Sequence, residues 1–500
     1  MTEYRAPLRA RSWRKLCLLV GVLAVAAACG STVQTAQVTR STDFGATGPT
    51  RSDGQATSDG TNISSSGAAT GTAGGQGTGA TTETSAASSP AAANVPETGP
   101  GWDAQHIYIG ITVADDAKSL SDSTGVKSID SGDVRGWATS AANDVNQRGG
   151  IFGRQLIPVF HNEPLTQSTT DPSGSAQATC TAYTQDKRVA AVIHLIYATT
   201  APLLPCLAQN NLPLVSMATV PFDDSDYSQY ANVLVQPAQL SYTRAIGPWV
   251  DRLAANGYFN DARIGILRDD SPMADRVSAE LHTQLAARGQ QVTEEFAHSA
   301  NAAALGSDMA SAVLRFRSAN VNRIMLLDGE SGVIFPATAE AQGYRPRYAI
   351  TSFLGPTVMA ANAPAAQLQS AVGIGWIPGF DVGPSHDNND LAPQSGACSD
   401  MLAAAGHPVD ESAGTQRPIS RALCDAFWLF ERATNAGGGL DAPSIMRGVD
   451  QLGDQLPSAS TFTQTFGPSR HYGASATADL TFDSACSCFA YLPNTQTPVP

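Results

Sequence analysis

From His106 onward, short apolar runs alternate with longer stretches whose apolar residues recur at helical spacing. His106 to Val113 (HIYIGITV) reads as a strand ending in the polar loop Ala114-Asp115-Asp116. Asp133 to Arg148 reads as a helix that stops at Gly149-Gly150, a C-cap signal. Gln155 to Phe160 is a second strand, and a helix near Ser175 to Lys187 leads to the strand Val189 to Ile196. A short helix around Pro202 to Gln209 gives way to the strand Leu212 to Ser216. The pattern then starts again. Ser241 to Asn256 is a helix, Ala262 to Leu267 a strand, Met273 to Arg288 a helix and Gln291 to Phe296 a strand. A helix near Ala303 to Ser318, the strand Asn322 to Leu327, a helix near Val333 to Gln342 and the strand Tyr348 to Ser352 follow. Leu368 to Trp376 is a further strand and Ile419 to Asn435 a long helix. Repeated βα units of this size predict an α/β fold built on parallel, doubly wound sheets. Two such runs predict two lobes, with the strand-end loops of both turned toward a shared cleft.

The chain ahead of this region is patterned differently. Arg5, Arg9, Arg11, Arg14 and Lys15 precede an apolar run from Leu16 to Ala28, about 13 residues and too short to span a bilayer. Ala26-Ala27-Ala28 then meets Cys29-Gly30, which resembles a bacterial lipoprotein signal. The resemblance implies that residues 1–28 are removed and that Cys29 carries a diacylglyceryl thioether. The mature chain would then be extracytoplasmic, lipid-anchored to the outer face of the bacterial cell membrane. Residues 29–104 are dominated by Gly, Ser, Thr and Ala, without apolar periodicity. Such a stretch buries too little surface to offset its ordering entropy and is expected to be a flexible tether. About 70 residues of this kind span roughly 45 Å.

The remaining ~400 residues fit two domains of ordinary size. A net charge of −14 argues against nucleic acid as a partner, which requires a positive footprint. Of eight cysteines, Cys17 leaves with the signal and Cys29 takes the lipid. An even number in an oxidising compartment reads as disulfides. Cys180, on a helix, and Cys206, just beyond the next strand, are placed for a local bridge. Cys486-Ser487-Cys488 forms a tight small ring, or each cysteine pairs elsewhere, and the pairing of Cys398 and Cys424 stays open. No CxxC or HxxxH spacing accompanies them, so no metal site and no cofactor is expected.

Val145-Asn146-Gln147-Arg148-Gly149-Gly150-Ile151-Phe152-Gly153-Arg154 resembles the N-xx-GGI-x-G segment of type I periplasmic binding proteins, the leucine/isoleucine/valine-binding branch. The first strand Ile107 to Val113, the region His194 to Pro202, Ser216 to Pro221, Ile264 to Ser271 and the closing helix Ala422 to Asn435 match in the same order, over about residues 106–492. The resemblance implies two lobes joined by a three-crossover hinge and closing on a small ligand. By analogy lobe 1 comprises residues 105–236 and 370–470, and lobe 2 residues 237–369 and 471–500. The crossovers would lie near Gln236-Pro237, Gln367 to Ser370 and His471-Tyr472.

In amino-acid-binding members, hydroxyls and backbone N–H groups from two lobe-1 loops hold the ligand carboxylate. Tyr197-Ala198-Thr199-Thr200 and Ser216-Met217-Ala218-Thr219 match those loops, so Tyr197, Ala198, Thr199, Thr200, Ala218 and Thr219 are ligand-binding candidates. A helix starting near Ala201 or Pro202 would add N-terminal amides that favour an anion. The alternative is that the threonines cap that helix and the turn. From lobe 2, Asp270, Asp328 and Glu330 are strand-end acids that would face the ligand or, alternatively, cap helices. Met273 stands where many amino-acid binders have Tyr, and the loop Phe353 to Thr357 lacks the acid that meets an α-ammonium group.

Enzyme signatures are missing. Gly329-Glu330-Ser331-Gly332 lacks the spacing of a nucleophile elbow, and neither a GxGxxG nor a GxxxxGK[ST] loop is present. Ser385-His386-Asp387-Asn388-Asn389-Asp390 does not match a calcium loop and reads as a solvated insertion. The sequence is therefore read as a monomeric solute-binding lipoprotein. It would capture a small polar, amino-acid-like ligand and deliver it to an ABC transporter permease. The alternatives are a ligand sensor signalling to a membrane partner, or a cell-envelope enzyme.

Overall fold

The computed structural model describes residues 95–499, apart from 300–301, 389–390 and 413. The signal segment, Cys29 and most of the expected tether lie outside the described residues. The end of that tether, residues 95–104, is structured, contrary to expectation. Trp102 is buried and its indole N–H donates to the Pro96 carbonyl, 3.2 Å away. The Arg154 guanidinium donates to the same carbonyl at 3.1 Å. One large aromatic residue is enough to anchor this otherwise polar stretch against the first lobe.

The first sheet holds β1 (His106–Val113), β2 (Gln155–Asn162), β3 (Ala191–His194), β4 (Leu214–Ser216) and β5 (Leu234–Val235). Their order is β2-β1-β3-β4-β5 and every pairing is parallel. The second sheet repeats the plan with β6 (Ile264–Asp269), β7 (Val292–His298), β8 (Arg323–Leu326), β9 (Arg347–Thr351) and β10 (Val372–Gly375). These lie in the order β7-β6-β8-β9-β10, again parallel. β11 (Ala476–Asp483) and β12 (Cys488–Tyr491) extend its far edge as antiparallel strands. Both sheets thus share one doubly wound order, which puts a topological switch point between β1 and β3 and another between β6 and β8.

Each lobe has its own core. Ile109, Ile111, Trp137, Phe427 and Phe430 pack together in the first, and Trp249, Ile266, Phe353 and Trp376 in the second. Phe427 and Phe430 come from the helix Gln416–Gly437, so the long C-terminal helix completes lobe 1. Two disulfides staple neighbouring helices of this lobe, Cys180–Cys206 and Cys398–Cys424.

One boundary differs from expectation. Residues from 370 were assigned to lobe 1, but β10 is laddered between β9 and β11 in the second sheet. The chain crosses back only between Trp376, in the second core, and Cys398, in the first. At the other two crossovers the backbones pair directly. The Gln236 N–H donates to the His471 carbonyl at 2.8 Å, and the Gly473 N–H to the Gln236 carbonyl at 2.9 Å.

Within the polar stretch 385–390, Ser385 and Asn388 are exposed as expected, and Asp387 departs from expectation. The Asp387 carboxylate is buried between Arg421, at 2.7 Å, and Arg417, at 3.1 Å, rather than solvated. Two guanidiniums on the long helix supply the donors that let a charged loop pack down. Among the described residues, no helix is long and apolar enough to cross a membrane.

Candidate ligand cleft

The lobes meet along both margins of the cleft. On one side the Lys127 N–H donates to the Asn362 side-chain oxygen at 2.9 Å, and the Asn362 amide returns a bond to the Lys127 carbonyl at 3.1 Å. On the other side Arg276 of lobe 2 pairs with Asp223 and, at 2.9 Å, with Asp226 of lobe 1.

The helix after β3 begins at Tyr197, several residues ahead of the expected start, and runs to Gln209 with Pro202 and Pro205 inside it. This places Thr199 and Thr200 in its first turn, fully buried. The Thr199 hydroxyl donates to Glu163 at 2.5 Å and lies 3.1 Å from Nε2 of His194. The second Glu163 oxygen accepts from Thr179 at 2.6 Å. Burial raises the Glu163 pKa against the pull of these two hydroxyls. Burial lowers that of His194 to about 3, so its imidazole is neutral. Thr200 donates to the Ile196 carbonyl at 2.7 Å. Neither hydroxyl caps the helix, which has no side-chain cap, and both are occupied by other bonds inside lobe 1. Ala198 is half-buried in the same turn.

Tyr197, at the first switch point, is different. It keeps 39 % of its surface exposed, yet its hydroxyl sits where desolvation raises its pKa. The charges of Asp328, Asp269 and Glu330 raise it further. Tyr197 of lobe 1 is thus electrostatically coupled to carboxylates of lobe 2. The acids come from the second switch point. Asp328 caps the helix Gly329–Ala341 by accepting from the Ser331 N–H at 2.7 Å. Its other oxygen is 3.2 Å from Nε2 of the buried His298. Burial disfavours the His298 cation, but Asp328 prevails and lifts the pKa to about 9. Asp269 accepts from the Ser271 N–H at 2.7 Å, and Asp270 is an exposed residue of the same turn. Glu330 is exposed, and desolvation followed by the Asp328 charge raises its pKa.

A cavity of about 150 Å³ is bounded by Ala218 and Thr219 after β4, Gln239 after the hinge, Ile377 and Phe380 after β10, and Ile419 of the long helix. The Gln239 amide oxygen is buried and has no hydrogen-bond partner among the described residues, and Gln239 is only 1 % exposed. Thr219 is half-buried beside it. A third polar side chain, Thr415, donates to the Asp130 carbonyl at 2.7 Å, and the remaining walls are apolar. Of the expected contacts, Ala218 and Thr219 line this cavity, whereas Tyr197, Thr199, Thr200, Asp270, Asp328 and Glu330 do not. Sequence reasoning missed Gln239, Ile377, Phe380 and Ile419. Gln239, two residues past the crossover proline, carried no decisive local signal, since Gln236 at the same hinge is also polar yet bonds inward to Tyr227 and Ser216.

Two doubly wound lobes closing on a cavity at their strand ends define a two-lobed binding protein. The periplasmic binding protein family matches residues 119–478, and the chain belongs to that family, with its type I fold. No curated protein sequence matches the chain. Among solved structures, it is similar to a solute-binding protein of an ABC transporter from Rhodopseudomonas palustris HaA2 in complex with p-hydroxybenzoic acid. The TM-score is 0.57 at 14 % identity, covering 79 % of this chain and 98 % of that one. A solute-binding protein from Rhodopseudomonas palustris BisB5 in complex with 3,4-dihydroxybenzoic acid gives a TM-score of 0.57 at 11 % identity, over 79 % and 98 % of the two chains. A possible leucine/isoleucine/valine-binding protein from Rhodopirellula baltica SH 1 gives 0.53 at 14 % identity, over 81 % and 98 %.

Proposed function

We propose that this chain is an extracytoplasmic solute-binding protein, anchored through lipid on Cys29, that closes on a small ring-bearing ligand and delivers it to an ABC importer. The observation that carries the ligand class is the cavity beside Thr219. A site of about 150 Å³ admits a benzene-sized ring. Its apolar walls suit the ring, while Thr219 and the unpaired Gln239 amide suit polar substituents such as hydroxyl or carboxylate. The hydroxybenzoic acids held by two structures of similar fold are molecules of this kind. The amino-acid-like ligand expected from the family has less support. The two lobe-1 hydroxyls that would hold its carboxylate are occupied by Glu163 and Ile196.

Calorimetry with p-hydroxybenzoate, 3,4-dihydroxybenzoate and leucine tests the reading. Binding of at least one aromatic acid is expected, weakened about tenfold or more by Gln239→Leu, because a lost hydrogen bond is worth about 1–3 kcal/mol. Leucine binding with no aromatic acid bound would overturn it. The anchor is tested separately. Cys29→Ala should release the chain from the membrane fraction, since firm attachment needs more than one acyl chain.

A further inference from the structure

The third cysteine pair stands apart from the other two. Cys486 and Cys488 are bonded to each other across a single residue, with their Cα atoms 5.2 Å apart, in the turn between β11 and β12. The other bridges each join residues 26 apart, and Cys180, Cys398 and Cys424 in them are buried. Closing so short a loop removes little chain entropy, so this bond adds little to stability. Ser487, between the two cysteines, is in the left-handed region, with φ 54°. A non-glycine residue is uncommon there. Cys486 is exposed to a reductant.

The fold brings a third donor to this turn. His386, about a hundred residues earlier, lies so that its ring nitrogen and both sulfurs are all within 4.8 Å of one another. Nε2 of His386 is 3.1 Å from Asp483, at the end of β11. Asp483 is itself held by accepting from the Ala485 N–H at 2.8 Å. That carboxylate contact holds the imidazole ring in place beside the two sulfurs. Two thiolates and an imidazole form a soft donor set that suits a thiophilic ion such as zinc or copper(I), with one position left for water.

We propose that the Cys486–Cys488 pair is a redox-gated metal site, closed as a disulfide when oxidised and binding one thiophilic ion through Cys486, Cys488 and His386 when reduced. A small dithiol supplies the two electrons and two protons. Its sulfurs become a disulfide, the S–S bond of Cys486–Cys488 opens and both cysteines become thiols. The incoming ion then displaces the two thiol protons to solvent. The site lies at the edge of lobe 2, and its occupancy does not depend on the ligand read for the cleft.

The test uses the intact chain, dithiothreitol and Zn²⁺. Peptide mapping across a dithiol titration should find Cys486–Cys488 opening while Cys180–Cys206 and Cys398–Cys424 remain closed. The reduced protein, moved anaerobically into metal buffer, should then bind one Zn²⁺ in competition with a chromogenic chelator. The oxidised protein should bind none at the same affinity. Asp483→Asn should weaken binding roughly 10- to 100-fold, and His386→Ala by more. Melting curves of both oxidised variants guard against a folding defect, and Cys486→Ser/Cys488→Ser, which cannot form the bond, should lose the metal without losing the fold. The proposal is overturned if the three disulfides open together, or if the reduced chain holds Zn²⁺ no more tightly than the double serine variant.

Discussion

The two switch points share one strand order and treat their polar residues in opposite ways. In lobe 1 the hydroxyls after β3 turn inward. Thr199 and Thr200 close bonds to Glu163 and Ile196, and the lobe offers the cleft Tyr197 and Thr219 instead. In lobe 2 the acids after β6 and β8 stay near the cleft, and Asp328 is steadied there by His298. A strand-end position therefore nominates a residue without deciding which way its side chain faces. That depends on whether a buried partner of opposite hydrogen-bonding character waits behind it.

The sharpest way to break the contrast is at His298. Removing one member of a buried ion pair leaves the other charge uncompensated, so His298→Ala should cost about 3–5 kcal/mol. The pH dependence has a definite sign. The folded pKa is raised from 6.5 to about 9, so the pair contributes fully below pH 6.5 and is lost as pH rises through about 9. Denaturant titrations at pH 6 and 9.5 should show that decline in the parent and lack it in the variant. A variant that declines equally would detach His298 from Asp328.

Two threonines give the next largest effect, in opposite readouts. Thr199→Ala strips a donor from a buried carboxylate and should lower the stability of the empty protein by about 1–3 kcal/mol with ligand affinity intact. Thr219→Ala should leave stability within about 0.5 kcal/mol and weaken the ligand about tenfold. If Thr199→Ala instead loses affinity, lobe 1 presents its first-loop hydroxyl after all and the contrast fails.

Much of the fold was legible because its strands are buried runs set between amphipathic helices, so periodicity alone separates them. The misreadings have specific causes. Pro202 looks like a first helical residue, which is where proline usually starts a helix, yet it lies in the second turn. The true start, Tyr197, follows an isoleucine with no side chain able to cap, so no local signal marks it. β10 was recognised as a strand, but only its neighbours decide its lobe, and those are set by laddering to β9 and β11. The cavity was legible at Ala218 and Thr219, which follow a strand. It was hidden at Ile377, Phe380 and Ile419, because apolar residues carry no local mark of whether they face a core or a ligand.

The smallest expected effect is at Glu163, and it asks why lobe 1 turns inward. If the carboxylate is there to accept from Thr179 and Thr199, an amide should serve nearly as well, since a hydroxyl can rotate to donate or accept. Glu163→Gln should therefore change stability by less than about 1 kcal/mol at pH 4.5, whereas Glu163→Ala takes the acceptor from Thr179, leaves Thr199 only His194, and costs about 1–3 kcal/mol. The charge itself works against folding. Burial raises the folded pKa, so the stability linked to this proton is present below the ordinary value of 4.5 and is lost as pH rises through the folded one. The glutamine variant carries no such proton, and its advantage over the parent should grow between pH 4.5 and 8. Denaturant midpoints for the three proteins at both pH values decide the matter. A glutamine variant as unstable as the alanine one would mean that the charge, and not the acceptor, holds these threonines away from the cleft.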